Sequence, residues 1–81
     1  MPPPLQALWR AARGEWAAAH VLAQAIESRD GSWIHAHLHR DEGDAENAAY
    51  WYNRAGKSMP NGAIAEERDA LIRHVLNTPA A

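Results

Sequence analysis

Residues 35–56 read HAHLHRDEGDAENAAYWYNRAG. Their periodicity decides the fold. Ala45, Ala48, Trp51, Tyr52 and Ala55 recur at intervals of three and four, which is the stripe of one helix face. His35 and His39 lie one helical turn apart, and Glu42 continues that face while His37 points away from it. Gly43 separates the two halves and suits a left-handed helix cap. The stretch therefore predicts a third helix from Trp33 to about Glu42 and a fourth from about Asp44 to Lys57.

The flanks extend the pattern. Asp30-Gly31 carries a turn signal, and Ser32 suits the N-cap of the third helix. A second helix runs from about Glu15 to Ser28 with Trp16, Ala19, Leu22, Ala23 and Ile26 on one stripe. A first helix begins at Pro4, whose fixed φ and missing donor suit a first helical position, and runs to about Arg13 before Gly14. Residues 56–62, with Pro60 between two glycines, form a loop. A fifth helix spans about Ala63 to Asn77. Glu66, Glu67 and Asp69 in its first turns and Arg73 and His74 in its last complement the helix dipole. Leu71, Ile72, Val75 and Leu76 form its apolar face, and Pro79 forbids continuation.

Composition supports an all-α reading. The chain has 81 residues, a formal net charge of -2 and 47% hydrophobic residues, of which nearly half are alanine, the best helix former. Leu, Ile and Val are sparse and Phe is absent. Trp9, Trp16, Trp33 and Trp51, with Tyr50 and Tyr52, supply the bulk between closely spaced helices. With no cysteine, neither disulfides nor thiolate zinc sites form. The acidic balance argues against nucleic acid as a partner. No apolar run reaches membrane-spanning length. The start Met1-Pro2-Pro3-Pro4 lacks the charged and apolar regions of a secretory signal, so the expected location is cytoplasmic.

Gly14-Glu15 and Gly43-Asp44 lie 29 residues apart. At that offset Ala19 meets Ala48, Leu22 meets Trp51, and Ile26 meets Ala55. Such an echo predicts stacked helix–turn–helix units. The expected architecture is one all-α domain over residues 1–81. Residues 4–28 form a first helix pair, 32–57 a second and 62–77 a closing C-terminal helix, with short tails at 1–3 and 78–81.

Gly43-Asp44, Ala48, Tyr52, Ala55 and Pro60 resemble the second helix of a tetratricopeptide or Sel1-like repeat. The first helix of that unit departs from the motif, with Ser32, His35, Ala36 and His39 at its signature positions. The first unit keeps Gly14 and Ala19 but has Ala23, Ile26 and Gly31 where the motif has an aromatic, a small residue and proline. The stretch 35–56 also resembles a family of short, uncharacterised proteins, which implies no activity. The repeat resemblance implies that Trp33, His37 and Arg40 face a concave, partner-binding groove.

Two candidate sites follow. His35 and His39 at i and i+4, with Glu42, have the spacing of a two-histidine, one-carboxylate metal site, and His20 on the neighbouring helix can add a ligand. In the other reading His35 and His39 are inward-facing packers with hydrogen-bond partners. Tyr50-Trp51-Tyr52 spans most of a helix circumference, which puts Trp51 and Tyr52 in the core and Tyr50 at a rim, with Arg54 one turn away for a cation–π contact. Catalytic motifs are missing: no HExxH, nucleophile elbow or phosphate loop occurs. The leading expectation is a non-enzymatic module that binds a protein partner or a second copy of itself through Trp33, His37, Arg40, Tyr50 and Arg54. The alternative is a metal- or small-molecule-binding protein using His35, His39 and Glu42 or His20, a metal ion then being its one cofactor.

Overall fold

The computed structural model describes residues 1–77, all α-helical apart from caps and connections. Its helices are α1 (Pro3–Ala12), α2 (Trp16–Gln24), α3 (Arg29–Asp41), α4 (Ala45–Ala55) and α5 (Ile64–Asn77). The expected stop at Pro79 and the tail 78–81 lie outside the described residues. None of the described helices is long and apolar enough to cross a membrane.

Sequence neighbours are spatial neighbours: α1 packs on α2, α2 on α3 and α3 on α4. The chain then returns, and α5 lies against α1 and α3. The 29-residue echo appears in the backbone. Glu15 N–H bonds the Arg10 carbonyl, and Asp44 N–H bonds the His39 carbonyl. Gly14 N–H bonds Ala11, and Gly43 N–H bonds Arg40. Both glycines take positive φ, +76° and +88°. This six-to-one plus five-to-two pairing satisfies helix-end carbonyls and needs a left-handed residue. The α1–α2 and α3–α4 turns are therefore the same device used twice.

The start of α3 differs from expectation. Ser28, not Ser32, is the N-cap: its hydroxyl accepts from the Gly31 N–H at 3.3 Å. Asp30-Gly31, read as a turn, lies in the first helical turn. Gly31 is buried there, and a Cβ built on it would overlap the Ile26 carbonyl oxygen. The glycine serves a close backbone approach rather than a reversal. Accordingly α2 ends at Gln24, short of Ser28, and residues 25–28 turn the chain beneath α3.

The core is narrow and alanine-rich. Ala7, Leu8 and Ala11 from α1, Ala19 and Ala23 from α2, Ile34 and Leu38 from α3, and Leu71 from α5 form one buried cluster. Ala36, Ala48 and Tyr52 form a second between α3 and α4. Ala48 is fully buried, so Ala48→Leu is expected to overpack this contact and cost about 1–3 kcal/mol, read as a lowered urea midpoint. Trp16, Trp33 and Trp51 pack at the cluster edges. Trp9 does not: it is 45% exposed, with the Arg10 and Arg13 guanidiniums 5.2 and 4.6 Å from its ring.

Candidate metal centre

Alternation along α3 sends its histidines to opposite sides, because successive odd positions rotate by about 200° on a helix. His35 and His39 turn toward α2, where they meet His20. His37 turns toward α5.

The α2 side gathers three imidazoles. The His20 and His35 ring centroids are 4.5 Å apart, His20 and His39 5.3 Å, and His35 and His39 4.8 Å. One nitrogen from each lies within 4.8 Å of the others. Tryptophans close the flanks. Trp16 stacks on His20 at 4.8 Å and Trp51 on His35 at 3.9 Å. Trp16 is itself fixed by an Nε1–H bond to the Leu38 carbonyl at 2.7 Å. Glu42, expected as a ligand, groups with His39 and Asp44 at ligand spacing, and its carboxylate lies 2.7 Å from His39 Nδ1. That contact leaves His39 Nε2 as the nitrogen free to face a cation.

Neither His20 nor His35 makes a hydrogen bond among the described residues; of the two histidines read as partnered packers, both are buried, and His39 has its partner in Glu42 while His35 stacks on Trp51 without one. Burial pushes the His35 pKa down to about 4, reinforced by His20 and His39. Burial and His39 lower His20 as well, against a smaller upward pull from Glu42. Both depressions disfavour protons and keep lone pairs available. The linkage sign follows. Between an unfolded value near 6.5 and a folded value near 4, the unfolded chain binds the His35 proton and the folded chain resists it. The stability from a neutral His35 is present above pH 6.5 and lost as pH falls toward 4. The urea midpoint of chelator-treated protein is expected to drop between pH 7 and 5, and to drop less in His35→Gln.

The α5 side holds a network that the sequence did not announce. Glu67 is buried and its carboxylate collects four donors from α3 and α4. Trp33 Nε1–H donates at 3.1 Å, His37 Nδ1 lies at 2.7 Å, Arg40 donates at 3.0 Å and Tyr52 O–H at 2.5 Å. Burial alone would raise the Glu67 pKa, but His37, Tyr52 and Trp33 outweigh it and hold the carboxyl below its usual range. Burial and the facing carboxylate push the Tyr52 phenol up. Arg40 also donates to the Gly62 carbonyl, tying the α4–α5 loop. With Nδ1 donating to Glu67, the buried His37 Nε2 is left without a partner.

This network takes His37 out of the expected groove. Trp33, His37 and Arg40 share a side as foreseen and all three bond Glu67 of α5; His37 is fully buried, whereas Trp33 is half-buried and lines a pocket of about 280 Å³ with Lys57, Pro60 and Glu66. Glu67 was read as a dipole residue. Its signal is that Ile64, Glu67, Leu71 and Val75 fall on one helical stripe, which puts a carboxylate in a core register. Tyr50 and Arg54 are exposed, with Arg54 donating to the Tyr50 hydroxyl at 3.3 Å. Tyr52 is buried, Trp51 half-buried and Tyr50 54% exposed, the order expected along α4.

Compared with protein-family models, curated proteins and solved structures, the chain matches none.

Proposed function

We propose that the protein binds a divalent transition-metal ion through His20, His35 and His39, with Glu42 orienting His39. The convergence of three imidazoles within 4.8 Å, two of them with no competing hydrogen bond among the described residues, carries this reading. Nitrogen-only ligands favour zinc, copper, nickel or cobalt over magnesium and calcium, which prefer oxygen. In a tetrahedral site with bonds of 2.0–2.1 Å, ligand nitrogens sit about 3.3 Å apart. The rings then close by up to about 1.5 Å on the ion, a side-chain adjustment. Three protein ligands leave a fourth position for water or another donor.

The partner-binding reading keeps Tyr50 and Arg54, which are exposed, but loses His37, which is buried, so the histidines become the better-supported site. Zinc at ten times its Kd is expected to add about 1.4 kcal/mol and raise the melting temperature by about 6–11 °C. His39→Ala removes the gain. Flat melts with zinc, nickel, cobalt and copper in EDTA-stripped protein would rule the metal centre out.

A further inference from the structure

A second site lies beside the histidines. Where the end of α2, residues 25–28, the start of α3 and the second half of α4 converge, they line an open surface cavity of about 520 Å³. Gln24, Ser28, Arg29, Ser32, Trp51 and Arg54 supply most of its wall. The volume falls within the usual range for small-molecule sites.

Its charges are poised. Arg10, Arg13 and Arg40 each have a carboxylate partner. Arg29 and Arg54, like Arg68 and Arg73, have none among the described residues, and of these four only Arg29 and Arg54 line the cavity. Arg54 is held by the Tyr50 hydroxyl at 3.3 Å and lies 5.4 Å from the Trp51 ring centroid. Glu27 is the cavity's one acid, so two guanidiniums and one carboxylate give a net charge of +1. Guanidiniums take carboxylate or phosphate in two-pronged hydrogen bonds. Ser28, Ser32 and Gln24 add neutral polar groups, and Trp51 and Ile26 add apolar surface suited to the body of a ligand.

We infer that this cavity binds a small organic oxyanion, a phosphate monoester or a carboxylate with a planar or apolar body, between Arg29 and Arg54 and against Trp51. This inference stands apart from the metal reading, since none of the three imidazoles lines the cavity. The two sites share only Trp51, whose ring stacks on His35.

The test is an NMR titration of EDTA-treated protein with phenyl phosphate, phenylacetate and inorganic phosphate in turn. Resonances of the Trp51 indole and the Arg29 and Arg54 side chains report binding. Saturable shifts centred on those three residues are expected with phenyl phosphate or phenylacetate, and the tighter one identifies the head group. The Arg29→Gln/Arg54→Gln protein, both substitutions being on the surface, should bind about tenfold or more weakly with unchanged circular dichroism. Inorganic phosphate binding as tightly as phenyl phosphate would overturn the role of the apolar body. Unsaturated shifts across the millimolar range, or unchanged affinity in the double variant, would overturn the site. Because no metal is present, these outcomes are independent of whether the imidazoles hold one.

Discussion

Glu67→Ala is expected to cost about 3–5 kcal/mol, the loss typical of breaking a buried charged pair from one side. The cause is less the lost carboxylate than what it leaves behind. Trp33 Nε1–H, His37, the Arg40 guanidinium and the Tyr52 hydroxyl all aim at it. Without it, donors and a positive charge stay desolvated and unpaired. Small domains have about 5–15 kcal/mol in total, so the variant should lose a large fraction of its stability. Glu67→Gln keeps an acceptor and should fall between wild type and alanine. Tyr52→Phe removes one donor and should cost about 1–1.5 kcal/mol. Urea denaturation of the four proteins at pH 7 checks the ranking, and a wild-type-like Glu67→Ala would remove the network from the account of stability. Glu67 also sets an acid limit. Its folded pKa is depressed, so its contribution is present above the unfolded value near 4.5 and disappears as pH falls through the folded one.

Gly31→Ala should cost about 3 kcal/mol, at the upper end of overpacking effects. The added methyl would meet the Ile26 backbone carbonyl and lie 2.8 Å from the Ile26 Cβ. A flexible side chain could swing aside, but a carbonyl in a short connection moves only with the chain around it. The α2–α3 link must then open, which shifts Ser28 off the helix start and spreads His20 from His35. The variant should thus lose zinc affinity along with stability. His39→Ala should instead lose zinc affinity by ligand removal. Comparing zinc-induced melting shifts in the two variants, alongside their metal-free urea midpoints, separates misalignment from ligand loss. An unchanged urea midpoint in Gly31→Ala would show that the connection yields without cost.

Much of the fold was legible because its determinants are local. Gly14, Gly43, Asp44, the alanine stripes, Pro4 and the Leu71, Ile72, Val75 and Leu76 stripe act within a turn or two of their own positions, and the five helices follow from such local signals. The boundary near residue 30 was not legible, because Asp30-Gly31 carries the same local signal whether glycine reverses the chain or admits a neighbouring backbone. Only Ile26, placed by the tertiary fold, decides between them. The site divides likewise. His35 and His39 share a face by helix geometry, and His20 joined them because α2 neighbours α3. Glu67 does lie in the first turn of α5, but its network was missed because a first-turn glutamate is satisfied by a dipole argument before its partners, 15 to 34 residues away in the chain, enter the reckoning. The burial of His37 was not legible for the same reason: its partner, Glu67, lies on the chain's own α5.

The return of α5 to α1 also orders events in time. Every other major contact joins consecutive helices or helices one apart, so loop closure is short and assembly of α1 to α4 is expected to be fast. During synthesis α5 emerges last. Until then, the four donors on α3 and α4 that later hold Glu67 stay hydrated. A nascent chain halted within the 56–63 connection would have its histidine triad within reach of assembly and its carboxylate clasp still missing. The imidazole face would thus be ready to capture an ion before the opposite face of the same helix is locked.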